Sequence, residues 1–145
     1  MDHSVRQQFQ QLVEDHSQAV GFAAPQSLRD YLALILAERF DRPGFIPEPT
    51  FAEAYLRLYS AYRPGVYREF ADSTLVFCSL LPEYGQRRGI SRDYYASLAI
   101  STYYSLADLA HDDRYTQLGN WFYTCQGFLC SLLHPQRHLR LVELD

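Results

Sequence analysis

The stretch Phe70-Ala71-Asp72-Ser73-Thr74-Leu75-Val76-Phe77-Cys78-Ser79-Leu80-Leu81 decides the fold. Phe70, Leu75, Val76, Phe77, Leu80 and Leu81 make it densely apolar, with little polar relief after Thr74. It is too short to span a bilayer and fits a helix buried on most sides. Pro82 does not continue the helix, and Gly85 and Gly89 punctuate a turn. Ser91 is a suitable N-cap for the next helix, with Ile90 and Tyr95 at the positions of a hydrophobic staple. Beyond it Ala96, Ile100, Tyr103, Ala107 and Ala110 recur at helical spacing, while Asp93, Ser97, Ser101 and Asp108 recur on another face. Small residues alternating with tyrosines predict close helix–helix contact, with rings filling the grooves. The chain from Phe70 to Ala110 therefore reads as a helical hairpin on which the remaining helices pack.

Outward from the hairpin the same pattern continues. Ser4 and Gln7 resemble a capping box, and Val5, Phe9, Leu12, Val13 and Val20 form an apolar stripe ending near Gly21. After Pro25, Ser27 and Asp30 restart a helix with Leu28, Tyr31, Leu32, Ile35 and Leu36 on one stripe. Asp41 to Pro49, with three prolines and a glycine, predicts an extended, contact-making linker. Thr50 and Glu53 open another helix carrying Phe51, Tyr55, Leu58 and Tyr62, stopped by Pro64-Gly65. A last helix is predicted from Asp112 or Asp113 to about Leu133, followed by a loosely held tail over 134–145. No stretch alternates with period two, so no sheet is expected. The prediction is an all-α, single-domain helical bundle of about six helices over residues 1–145.

Composition excludes several function classes. With 48% hydrophobic and 15% aromatic residues, the chain carries far more core material than a disordered one. The formal charge is −4, every basic residue is arginine, and an acidic balance argues against nucleic-acid binding. Three cysteines and no signal sequence lead to the expectation of reduced thiols in a cytoplasm, with no membrane anchor.

Chemistry-bearing residues are sparse. His111-Asp112-Asp113 contains a His-Asp pair, but the only upstream histidines are His3 and His16, so a cap at a helix junction is the expected role. His134 and His138 are separated by Pro135 and do not predict a metal site. Cys78, Cys125 and Cys130 form no CxxC pair and read as small hydrophobes. No Glu-x-x-His pair, glycine-rich phosphate loop or GxSxG elbow is present. Glu53, Asp72, Glu83, Asp93 and Asp108 are the remaining catalytic material. Asp72 stands out because it opens an apolar segment. It is either solvated at the start of its helix or, if buried, paired with a tyrosine hydroxyl, with Tyr95 and Tyr104 as the candidates. Arg87, Arg88 and Arg92 cluster at the hairpin turn, either as a solvated basic turn or as a contact for an anion or an acidic protein partner.

In the last helix, Tyr115, Leu118, Phe122, Cys125, Leu129 and Leu132 form an a/d seam that docks it on its own domain. Trp121 and Phe128, flanked by Gly119 and Gly127, lie off the seam, so this helix is either central in its own domain or, as the favoured reading, covered by a second copy in a two-fold homodimer.

Two segments, Ser27-Leu28-Arg29-Asp30-Tyr31-Leu32 through Phe40, and Leu75 to Glu83 followed by Tyr94-Tyr95 and Tyr103-Tyr104, resemble a family of uncharacterised small all-helical bacterial proteins. The resemblance covers roughly half the chain. This sequence lacks the glycines that the family tends to show near Ser79–Leu80 and near Ile100. It implies a helical fold and no known activity, and it carries over no catalytic residue. The leading expectation is a non-catalytic cytoplasmic interaction or assembly protein, with no metal and no cofactor. The alternative is a small-molecule binding protein or enzyme with a pocket lined by tyrosine and carboxylate between helices.

Overall fold

The computed structural model describes residues 3–40, 54–58, 63–81 and 92–134. These are helical almost throughout, and no strand occurs among them. Six helices follow in order: α1 (His3–Val20), α2 (Gln26–Phe40), α3 (Pro64–Leu80), α4 (Arg92–Ala110), α5 (Asp113–Asn120) and α6 (Phe122–Leu133). Residues 54–58 are also helical. The fold is all-α, as the periodicity predicts. The helices group into two compact units, one holding α1 and α2, the other holding the stretch 54–58 and α3 to α6.

The first unit is a helical hairpin. Gly21 takes the left-handed conformation (φ 72°), and the Phe22 N–H donates to the Ser17 carbonyl at 2.9 Å. This is the glycine-terminated helix end that satisfies otherwise orphaned carbonyls. The Pro25 carbonyl then receives the Leu28 and Arg29 N–H groups and starts α2. Glu14 on α1 accepts from Gln26 Nε2 at 2.8 Å and from Arg29 Nε at 3.0 Å, tying the two helices beside the turn.

In the second unit, α3 begins earlier than the sequence suggests. Pro64 is its first residue, where a missing N–H costs nothing, and the extended Arg63 precedes it. Pro64-Gly65 thus opens a helix. Asp72 consequently sits in mid-helix, among an unbroken buried run from Phe70 to Ser79. Thr74 and Ser79 avoid stranded hydroxyls by donating to the Phe70 and Leu75 carbonyls, at 2.7 and 2.8 Å. On α4 the small residues Ala96 and Ala99 are fully buried, which lets α3 approach closely.

The predicted final helix is two helices. Trp121 (φ −101°, ψ 13°) departs from helical geometry, separating α5 from α6. Its N–H still donates to the Gln117 carbonyl and its carbonyl accepts from Cys125, both at 2.8 Å, so the chain bends rather than unwinds. The bend lets α5 pack on α4 while α6 packs on α3. His134, assigned from the sequence to the loose tail, is held: its Nε2 lies 2.9 Å from the Leu80 carbonyl at the end of α3. The Asp41–Pro49 linker, the basic turn residues Arg87 and Arg88, and the tail beyond His134 lie outside the described residues.

Candidate functional site

The most distinctive polar arrangement is buried between α3 and α4. Asp72 and Tyr103 are each 0% exposed. The Tyr103 hydroxyl donates to Asp72 Oδ1 at 2.8 Å, and Arg68 Nε lies 3.4 Å from Oδ2, one helical turn before Asp72. The Tyr103 ring stacks on Tyr115 (centroids 6.5 Å apart, 14° between planes) and leans on Phe122 at 6.3 Å. A carboxylate removed from water is costly unless hydrogen-bonded or paired, and here it is both. Arg68 is one-third exposed, so it links the buried carboxylate to the surface.

The sequence expectations at this site divide. Asp72 is not solvated, and the tyrosine hydroxyl that donates to it is that of Tyr103. Tyr95 is buried, with its ring edge-on to Tyr94 at 5.5 Å. Tyr104 points the other way, is 41% exposed, and donates its hydroxyl to Asn120 Oδ1 at 2.6 Å. Of the three expected ligand-binding residues, Tyr104 is thus engaged at the surface, away from the buried Asp72. The helical phase carried the correction: Tyr103 shares the face of Ala96 and Ala99, whereas Tyr104 is turned about 100° from it. Arg68, four residues before Asp72, was also legible as a partner. Arg92 opens α4, but its side chain, like Arg87 and Arg88, lies outside the described residues.

The residues read as a dimer face also separate. Gly119 is buried, and a Cβ there would come within 2.6 Å of Tyr104 Cε1. The close approach that favours glycine is thus made by a ring of this same chain. Phe128 is buried at 4% exposure, so it belongs to the interior and not to an external face. Trp121 is half-buried at the bend, and Gly127 is exposed with open space around its Cα.

The other candidates settle simply. His111 occupies the left-handed region (φ 52°) at the end of α4, with the Asp112 N–H donating to the Ala107 carbonyl. Asp112 caps α5 by accepting from the Arg114 N–H at 3.0 Å. Side-chain hydrogen bonds from Arg114 hold the Asp112 carboxyl below its usual range. His111-Asp112 is thus a junction device. The three cysteines are free thiols, and burial pushes the Cys125 thiol up to about 12, which makes it a poor nucleophile. Gln126, 1% exposed on α6, reaches the Cys78 carbonyl at 3.4 Å with its amide nitrogen. Among the described residues no three histidine, cysteine or acidic side chains cluster as metal ligands. Nor is any described helix long and apolar enough to cross a membrane.

Compared with known proteins, the chain matches no protein-family model, no curated protein and no solved structure.

Proposed function

We propose that this chain is a non-catalytic interaction or assembly protein of the cytoplasm. The observation that supports the reading is the sealing of the Asp72–Tyr103 pair. A tyrosine/carboxylate pocket would need these groups open to a ligand, yet both are fully buried and bonded to each other. Large exposed side chains occur instead on the outer surface of the second unit, where Tyr94, Tyr104 and Tyr123 are each more than 40% exposed. Tyrosine combines wide apolar area with a polar tip, which suits contact with another protein. Three free thiols accord with a reducing compartment.

Native mass spectrometry of the chain isolated at natural abundance from the cells that make it tests this reading. A stoichiometric second chain, identical or different, is expected. A bare monomer, or a monomer retaining a small molecule, overturns it.

A further inference from the structure

The helices on either side of Trp121 have the makings of a single helix. Tyr115, Leu118, Phe122, Cys125, Leu129 and Leu132 keep one helical phase from α5 into α6, and no proline lies between Asp113 and Leu133. The hydrogen-bond ladder crosses the bend as well, from the Trp121 N–H to the Gln117 carbonyl and from the Cys125 N–H to the Trp121 carbonyl. The backbone of Trp121 alone, at φ −101° and ψ 13°, separates the two. Restoring helical values there takes about 40° in φ and about 55° in ψ. Sharp kinks ordinarily have a proline, a glycine–serine pair or a bulge at the vertex. Here the vertex is a tryptophan, which leaves the docking of α6 on α3 to hold the bend.

Straightening favours both helices. At 8 and 12 residues, α5 and α6 are at or below the roughly 12–15 residues at which an isolated helix is marginal in water. Joined, they form a helix about 32 Å long. Because α5 lies on α4, that helix carries α6 away from its own α3.

A freed α6 needs a cover. Phe122, Cys125, Phe128 and Leu129 are buried, and 122–133 contains no Asp, Glu or Arg. The surface that fits this helix is the α3 face. There the Cys78 carbonyl lies 3.4 Å from Gln126 Nε2, and the Leu80 carbonyl lies 2.9 Å from His134 Nε2. A second copy presents that same face, which makes it the occupant with the right shape and the right acceptors. Each chain carries a formal charge of −4, but the exchanged helix brings no carboxylate to the joint, so no like-charge contact opposes it. Release from the chain's own α3 is eased by Gln126. Its Oε1 is buried without a hydrogen-bond partner among the described residues, a cost that undocking removes.

Resting on the reading of the chain as an assembly protein, we propose that α6 is exchanged between two copies: Trp121 straightens, and the α6 of each copy seats on the α3 of the other in a two-fold dimer. Phe128, interior to one chain in the bent form, is then interior to the pair.

The test uses the full chain. Isotope-labelled and unlabelled copies are unfolded together in urea, refolded at millimolar concentration and separated by size. Isotope-filtered NOE spectra of the dimer then report contacts between chains only. Contacts between α6 of one copy and α3 of the other are expected in the dimer and not in the monomer. Two glycines inserted between Asn120 and Trp121 disfavour the straight helix while leaving every α6–α3 contact possible, and should raise the dimer dissociation constant in sedimentation at least about tenfold. The same insertion between Gly21 and Phe22, in the first unit, should leave it unchanged. A chain that stays monomeric up to millimolar concentration, or equal weakening by the two insertions, overturns the exchange. A dimer whose α6–α3 contacts all lie within one chain overturns the exchange and leaves the assembly reading standing. Native mass spectra without any second chain overturn that reading itself.

Discussion

Replacing Tyr103 with phenylalanine tests the buried pair most directly. The change keeps the ring and therefore its contacts with Tyr115 and Phe122. It removes one atom, the hydroxyl that donates to Asp72 Oδ1 at 2.8 Å. Asp72 is left fully buried, with Arg68 Nε 3.4 Å from its Oδ2. A hydrogen bond to a charged group contributes about 1.5–3 kcal/mol, so Tyr103→Phe should lose that much. Asp72→Ala should cost about 1–3 kcal/mol by stranding the Tyr103 hydroxyl, with a further loss from the small cavity. Combining the two removes both partners, so the double variant should fall short of the summed losses by about 1–2 kcal/mol. Urea unfolding of the full chain provides the measurement. Trp121 is the sole tryptophan and lies in the second unit, so its fluorescence follows the unit that contains the pair. A Tyr103→Phe midpoint equal to wild type, or strictly additive losses, would refute the account of the pair as a mutually dependent buried contact.

Three further outcomes are expected. Gly119→Ala should gain little or lose stability in the wild-type chain, because its Cβ displaces the Tyr104 ring from Asn120; in a Tyr104→Ala background it should stabilise by about 1 kcal/mol through helix propensity, and a sign that does not change between backgrounds refutes the contact. His111→Gly should stabilise by about 0.5–1 kcal/mol in denaturant titrations, since relief of the left-handed strain exceeds the extra entropy of glycine in the unfolded chain. Hydrogen bonds from Gln26 and then Arg29 hold the Glu14 carboxyl below its usual range. Its folded value lies below its unfolded one, so its contribution is complete above the ordinary glutamate range and fades as pH falls through the lowered value. For so exposed a pair the effect is about 0.5 kcal/mol or less, and Glu14→Gln should erase that part of the acid dependence.

Helix existence was legible because it depends on local periodicity. The Gly21 terminus and the Asp112 cap were readable for the same reason: each is decided within one turn of the chain. Two boundaries were not. Pro64 is equally compatible with stopping one helix and opening the next, and only the position of the following chain selects between them. At Trp121 the apolar seam continues in phase through the bend, so spacing alone does not reveal it. The site was half legible. Asp72 was marked by its apolar surroundings, but the choice among neighbouring tyrosines required the phase of α4 against α3. Gly119 shows the limit most clearly: the sequence records that space is needed there, and the ring that occupies it comes from Tyr104, 15 positions earlier.

The bend at Trp121 also bears on the order in which the helices are expected to assemble. Contacts across the α4–α5 junction close short loops, as between Tyr104 and Asn120, 16 residues apart. The α3–α4 pair closes 31 residues at Asp72 and Tyr103, whereas α6 meets α3 across 48 residues at Gln126–Cys78 and 54 at His134–Leu80. Loop-closure entropy grows with separation, so α6 pays the greatest cost unless α3, α4 and α5 have already met. The bend permits that sequence, because α5 seats on α4 without committing α6. Closure of α6 is therefore expected late on the folding route. Trimming Leu129 should chiefly accelerate unfolding, whereas trimming Leu106 should chiefly slow folding.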